Sequence, residues 1–230
     1  EGCVYRSQFY KSVIHSHARL TYDYVHDLIQ GKLSLDSNNK NLETHLWSAF
    51  KCFKILKNKR KNRGAIDFDV PETKIIMDST RKIKTIVPTT RHDIHCMIEE
   101  FMLAANESVA QFLIKKSVSA LFREHLPPDP IKLVALKDFL RVLGLRLSGQ
   151  TPTPKSYASL LTRIKDRPDA HLIQTVLLRS LSQAVYTPDS SGHFGLAFDA
   201  YCQFTSPIRR YPDLVVHRSL NHFLSQSKTN

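Results

Sequence analysis

Two adjacent arginines in a short polar turn are the residues of this chain best suited to chemistry. Ser206-Pro207-Ile208-Arg209-Arg210 follows an aromatic-rich run, Phe194 to Phe204, that reads as a buried strand or extended segment. A serine hydroxyl able to cap, and a proline whose missing N–H is no loss, mark the start of a helix or turn. Unpaired backbone donors and two guanidinium forks would then point at one place, which is an anion site, most naturally for phosphate. The plainer alternative is a strand-to-helix turn whose arginines pair with nearby carboxylates, and the pentapeptide alone leaves both open. A second basic feature is Lys51, Lys54, Lys57, Lys59, Arg60, Lys61 and Arg63, seven bases in 13 residues with no acidic residue between Glu43 and Asp67. Such a run is a solvated helix face or a phosphate track, and its density exceeds what solubility needs. His15 and His17 face apart on a helix, and His92 and His95 share a face but lack an evident third metal ligand.

Apolar periodicity predicts the elements that position these groups. Helices are expected over about 15–30 (stopping at Gly31), 42–63, 91–123, 131–147, 155–165, 168–183 and 212–226. The helix over 91–123 is expected to be the longest. Residues 3–14 alternate enough to suggest a strand leading into the first helix, and short strands are expected near 65–69, 73–78, 82–87 and 184–187. Residues 32–41 are a polar loop, and the proline clusters at 127–130 and 151–154 are breaks. Long helices mixed with short, mostly antiparallel strands give an α+β fold, helix-rich in this chain.

The 230 residues, 42% hydrophobic, suffice for a real core in one large domain or two small ones. No apolar run approaches the length of a membrane span. Cys3, Cys52, Cys96 and Cys202 are scattered, as expected of reduced thiols in a cytoplasmic protein. A net charge of +12 favours polyanionic partners without identifying them. There is no internal repeat and no Gly-rich nucleotide loop.

Read whole, the string from His193 to Arg218 (HFGLAFDAYCQFTSPIRRYPDLVVHR) closely resembles the signature near the end of the catalytic domain of the ribonuclease II/ribonuclease R (RNB) exoribonuclease family, nearer to ribonuclease R. Three further segments resemble the same family in the same order: His15 to Asp23 (HSHARLTYD), Arg63 to Phe68 (RGAIDF) and Met97 to Glu107 (MIEEFMLAANE). The resemblance covers nearly the whole chain. It implies a processive 3′-to-5′ exoribonuclease that uses Mg²⁺ and releases 5′ nucleoside monophosphates from the 3′ end of single-stranded RNA.

By the same resemblance, Arg209 holds the scissile phosphate, supported by Arg210 and Tyr211. Tyr22 sits beside that phosphate and helps set the final product size, and Glu99, rather than Glu100, orients a terminal nucleotide with Asn106 on its face. Phe68 clamps the 3′-terminal bases, with a core phenylalanine as the alternative. From the basic run itself, Lys57, Arg60 and Arg63 are candidates to track phosphates, with a solvated face as the alternative. The clustered aspartates that hold Mg²⁺ in the family are not found here. Asp67 and Asp69 belong to a different segment, and the metal ligands are expected upstream of this chain. Residues 1–230 are therefore expected to be part of an RNB catalytic domain, without the flanking cold-shock and S1 domains, monomeric and inactive alone. Strand edges left exposed are expected to make the isolated chain less stable than its parent. The alternative is a non-catalytic RNA-binding or scaffold module derived from the family.

Overall fold

The computed structural model describes residues 2–34, 40–68, 73–88 and 91–226. The first helix, α1 (Tyr22–Ile29), starts where the Thr21 hydroxyl accepts the Tyr24 N–H at 3.3 Å. It starts seven residues later than the periodicity suggests. Residues 3–14, expected as a strand, have no ladder partner among the described residues and run as irregular chain. Phe9 turns inward onto Phe112 (ring centroids 5.0 Å apart) while Val4, Tyr5, Tyr10, Val13 and Ile14 stay exposed.

Helix α2 (Lys40–Arg63) packs against α3 (Asp93–Lys115), with α1 laid across α3. Val25, Leu28, Ile29, Phe50, Phe53, Ile94 and Met97 interlock between the three, each worth about 1.5–3 kcal/mol of burial. Helix α2, not α3, is the longer of the two. The expected helix over 91–123 stops at Lys115 because Ser117 turns left-handed (φ 52°) and Val118 N–H reaches back to Leu113 O at 2.9 Å.

Residues 122–124 then form a strand that the periodicity did not indicate. It is β3 (Phe122–Glu124), following the hairpin β1 (Thr73–Met77) and β2 (Ile83–Pro88). β1 and β2 pair antiparallel with a bulge at Ile76/Met77, closed by Asp78, whose carboxylate accepts the N–H groups of Thr80 and Lys82. β3 pairs antiparallel with β4 (Val185–Thr187), Phe122 facing Thr187.

Between them, α4 (Pro130–Val142), α5 (Pro154–Ile164) and α6 (Ala170–Ser180) enclose a second core of Leu136, Leu140, Tyr157, Leu160, Ile164, Ile173 and Leu177. The last helix is α7 (Tyr211–Gln226). Its Val216 joins Val109, Leu113, Phe122, Ala200 and Cys202 in a third core, so α3 serves both ends of the molecule. The mixture is α+β as expected. Residues 65–68 are not a strand: Ile66 N–H makes one bond, to Gly195 O, and Ala65 and Ile66 are buried. Asp69 and residues 35–39 of the expected polar loop lie outside the described residues.

Candidate nucleic-acid interface

The segment from His193 to Arg210 is irregular chain held at intervals, where a strand or extended segment was expected over Phe194 to Phe204. His193 Nδ1 accepts the Leu196 N–H, one 3₁₀ turn spans Phe194–Leu196, and Ala197 adopts the left-handed region (φ 53°). Gly195 N–H donates to His125 Nδ1, and a Cβ at Gly195 would stand only 2.9 Å from that nitrogen, so no larger residue fits. Burial first, and the neighbouring His125 second, pull the His193 pKa down to about 4, so the ring is neutral.

Further on, the side chain of Asn106 on α3 spans two points of the segment. Its Nδ2 donates to the Tyr201 hydroxyl at 2.9 Å and its Oδ1 accepts the Phe204 N–H at 3.0 Å. Asn106 is 3% exposed, so its amide props the signature segment and does not face a ligand. Cys202, buried beside it, has its thiol pushed up to about 12 by burial and then by Asp213. On the other side His217 stacks on Phe204 (centroids 4.1 Å) and its Nε2 lies 2.9 Å from Phe204 O.

The arginine turn follows. Ser206 O accepts the N–H groups of Arg209 and Arg210, and α7 begins only at Tyr211. Ser206 does not cap the helix with its hydroxyl. Instead its N–H donates to Asp213 Oδ2 at 2.7 Å, and Arg210 Nη2 donates to the same oxygen at 2.7 Å. Asp213 is 0% exposed. Arg210 thus follows the plainer reading, pairing with a nearby carboxylate. Arg209 is exposed, has no carboxylate partner among the described residues, and touches only the Ser206 hydroxyl at 3.5 Å. Ile208 and Tyr211 are exposed beside it.

A second cluster joins the start of α1, the second half of α2 and the first turns of α3. Tyr22, 45% exposed, stacks on His95 with centroids 4.1 Å apart, and His26 stacks on His92 at 4.2 Å. One turn beyond His95, Glu99 Oε1 accepts from Arg60 Nη1 at 2.9 Å and Oε2 accepts from Arg91. Arg60 also donates to Glu100 at 2.9 Å and to Asp67 at 3.2 Å. Burial opposes its charge, but Asp67, Glu99 and Glu100 together more than offset that and hold the guanidinium above its ordinary range.

Arg60 therefore points inward and braces carboxylates. Arg63 turns inward too: its Nε donates to Leu196 O at 3.0 Å and its guanidinium lies 3.9 Å over the Phe198 ring. Phe68 is half-buried against the α4–α6 core, which matches the core alternative. Lys57 stays exposed, paired with Asp93 at 2.9 Å, and with Lys54, Lys61 and Lys165 lines a groove of about 560 Å³ between α2 and α5.

The two clusters sit along one helix. Glu99 and Asn106 are two turns apart on α3, roughly 10 Å. No carboxylate set here fits a divalent cation. Asp67, Glu99 and Glu100 are engaged by Arg60, and Glu99 also by Arg91, Asp213 is held by Arg210, and no group of three or more possible ligands assembles among the described residues. The inward turn of Arg60 and Arg63 escaped the linear reading because Glu99, Glu100 and Leu196 are remote in sequence, whereas the Arg210–Asp213 pair is spaced i, i+3 and is legible in principle.

Comparison with known proteins matches residues 1–226 to the RNB domain. The chain is 47% identical over 220 residues to ribonuclease R of Vibrio cholerae, covering 95% of this chain and 27% of that protein. It thus spans about a quarter of the length of such curated relatives. Among solved structures, ribonuclease R of Mycoplasma genitalium in complex with double-stranded RNA matches with a TM-score of 0.84 at 31% identity, covering 91% of this chain and 37% of that one. The same enzyme in complex with ribose methylated single-stranded RNA matches with a TM-score of 0.79 at 32% identity, covering 86% and 31%.

Proposed function

The chain belongs to the RNB-domain family, and from that premise we propose that it forms part of a 3′-to-5′ exoribonuclease, binding the 3′ end of single-stranded RNA. The observation that carries this reading is the exposed, carboxylate-free guanidinium of Arg209 beside a neighbour that is already neutralised. A planar, permanently charged fork suits the scissile phosphate and the charge that develops on it. Tyr22 offers an exposed ring face to a terminal base or sugar. Glu99 has both oxygens engaged by arginines, yet each keeps a lone pair for a ribose hydroxyl, the group that distinguishes RNA from DNA. Tyr211 flanks the phosphate, and the lysine groove beside α2 draws the backbone in. An exposed ion pair such as Lys57–Asp93 is worth at most about 1 kcal/mol, so Lys57 can exchange its partner for a phosphate.

The family implies Mg²⁺, but the carboxylates of the described residues do not fit it. Its ligands are proposed to come from residues outside those described. That misfit also favours a second reading, an RNA-binding module without hydrolysis.

One experiment tests the site. The chain is incubated with 3′-tailed single-stranded RNA and Mg²⁺, and anisotropy and product length are followed together for the wild type and Arg209→Ala. Binding that falls about tenfold or more in the variant, from loss of one charge-assisted contact, supports the phosphate role. Stepwise shortening from the 3′ end would make the chain itself catalytic. Binding indifferent to Arg209 would refute the proposed site.

A further inference from the structure

The arginine turn contains more than its two arginines. Ser206 N–H, the first backbone donor of the turn, does not face solvent: it is taken by Asp213 Oδ2 at 2.7 Å. Arg210 Nη2 meets the same oxygen at 2.7 Å, although its side chain is a quarter exposed and its neighbour Arg209 is exposed. Asp213 has 0% exposure, and a buried carboxylate is tolerated only where charge and hydrogen bonds compensate it.

The flanks are held as firmly. Asn106 Oδ1 accepts the Phe204 N–H, and His217, four residues beyond Asp213 and so on the same face of α7, covers Phe204 by stacking. The backbone between Phe204 and Arg210 is therefore tied at both ends, with Asp213 as the anion that closes it from within.

Resting on the proposed phosphate role of Arg209, we infer that Asp213 is a positioning residue, with Arg210 as its counter-ion rather than a second phosphate ligand. By occupying the inner donors of the turn and drawing Arg210 inward, it leaves Arg209 as the single fork presented to an incoming phosphate. Three consequences follow. Adjacent arginines that look interchangeable have unlike roles. The turn is preorganised before RNA arrives, so ordering it costs nothing on binding. And removal of Asp213, which touches no ligand, misaims Arg209.

The test is a binding cycle on the full chain with 3′-tailed single-stranded RNA, in EDTA so that nothing is hydrolysed, across a series of salt concentrations. For a single strand the salt slope changes by about 0.7 per phosphate contact. Arg209→Ala is expected to weaken binding about tenfold and flatten the slope by about 0.7. Asp213→Asn keeps the side-chain volume and one oxygen but loses the negative charge that holds Arg210. It is expected to flatten the slope by the same amount, and the double variant to be no worse than either single one. A role in stability alone would lower the melting temperature of Asp213→Asn while leaving the folded protein with the wild-type slope, and that result overturns the inference.

Should Asp213→Asn fail to fold, Asp213→Glu retains the charge and displaces it by one methylene. An intermediate slope is then expected, and a wild-type slope counts against positioning. If Arg209→Ala itself changes nothing, the phosphate reading has failed and not merely the role of Asp213.

Discussion

Two pairs of basic residues end up oppositely disposed. Arg60 and Arg63 come from the densest basic run of the chain, yet both turn inward, one onto Asp67, Glu99 and Glu100 and the other onto Leu196 O and the Phe198 ring. Arg209 and Arg210 come from a run of two, and there one arginine is consumed by a buried aspartate while the other is left outside. Local charge density is thus a poor guide to which arginine meets a ligand. What decides is what the fold delivers to each: carboxylates to Arg60 and Arg210, a carbonyl and an aromatic ring to Arg63, and no such partner to Arg209. Around Arg60 three converge from α3 and the segment after α2, whereas the turn before α7 receives one for two arginines.

The largest test of this contrast is Arg60→Met. Glu100 is 7% exposed and would lose its guanidinium partner, as would Asp67, while Glu99 would keep only Arg91. Breaking a buried ion pair from one side costs about 3–5 kcal/mol, so urea unfolding is expected to show a loss of that order. A loss below about 1 kcal/mol would mean that the inward arginines are no more structural than the outward one.

Next comes acidification, which probes the segment joining the two regions. His193 sits beneath the turn whose carbonyls at Gly195 and Leu196 receive Ile66 and Arg63. Its folded pKa, about 4, lies below the ordinary 6.5, so the unfolded chain takes up the proton first. The stability it contributes is full above about pH 6.5, declines as pH falls toward 4 and is gone below that, up to about 3 kcal/mol in all. Comparing wild type with His193→Asn across that window isolates the effect. Parallel curves for the two proteins would remove His193 from the link.

Smallest is Arg209→Ala in the absence of RNA. An exposed side chain without an ion-pair partner is expected to shift unfolding by less than about 0.5 kcal/mol, even as its binding loss is large. That dissociation of stability from binding is the sharpest form of the contrast.

The parts of this arrangement that a linear reading reaches are those encoded locally. Amphipathic spacing located all seven described helices, and the four motif segments indicated the family that the comparison finds. Exposure of Tyr22 and Arg209 is consistent with the roles they were assigned. The misses share one cause. Arg60 meets Glu99 and Glu100 across 39 and 40 positions, Arg63 meets Leu196 across 133, and Asn106 spans to Phe204 across 98. Nothing in a window of a dozen residues carries such pairings. The stretch at 65–68, expected as a strand, is not one for the same reason: Phe68, for which a core position was the open alternative, packs on an α4–α6 core assembled more than 60 positions later. Residues 3–14 show the converse: alternation without a partner strand makes no strand.

The β1–β2 hairpin carries a consequence of its own. Ile75, Ile76, Met77, Ile83 and Ile86 are all exposed, and no third strand joins the pair among the described residues. A two-stranded ribbon is marginal in water, so its ladder opens without waiting for the rest of the molecule. In amide exchange, the hairpin protons give themselves up to deuterium early, while those of α3, shared between two cores, exchange only when the whole molecule unfolds. The chain thus holds its most and least durable secondary structure within about twenty residues of each other.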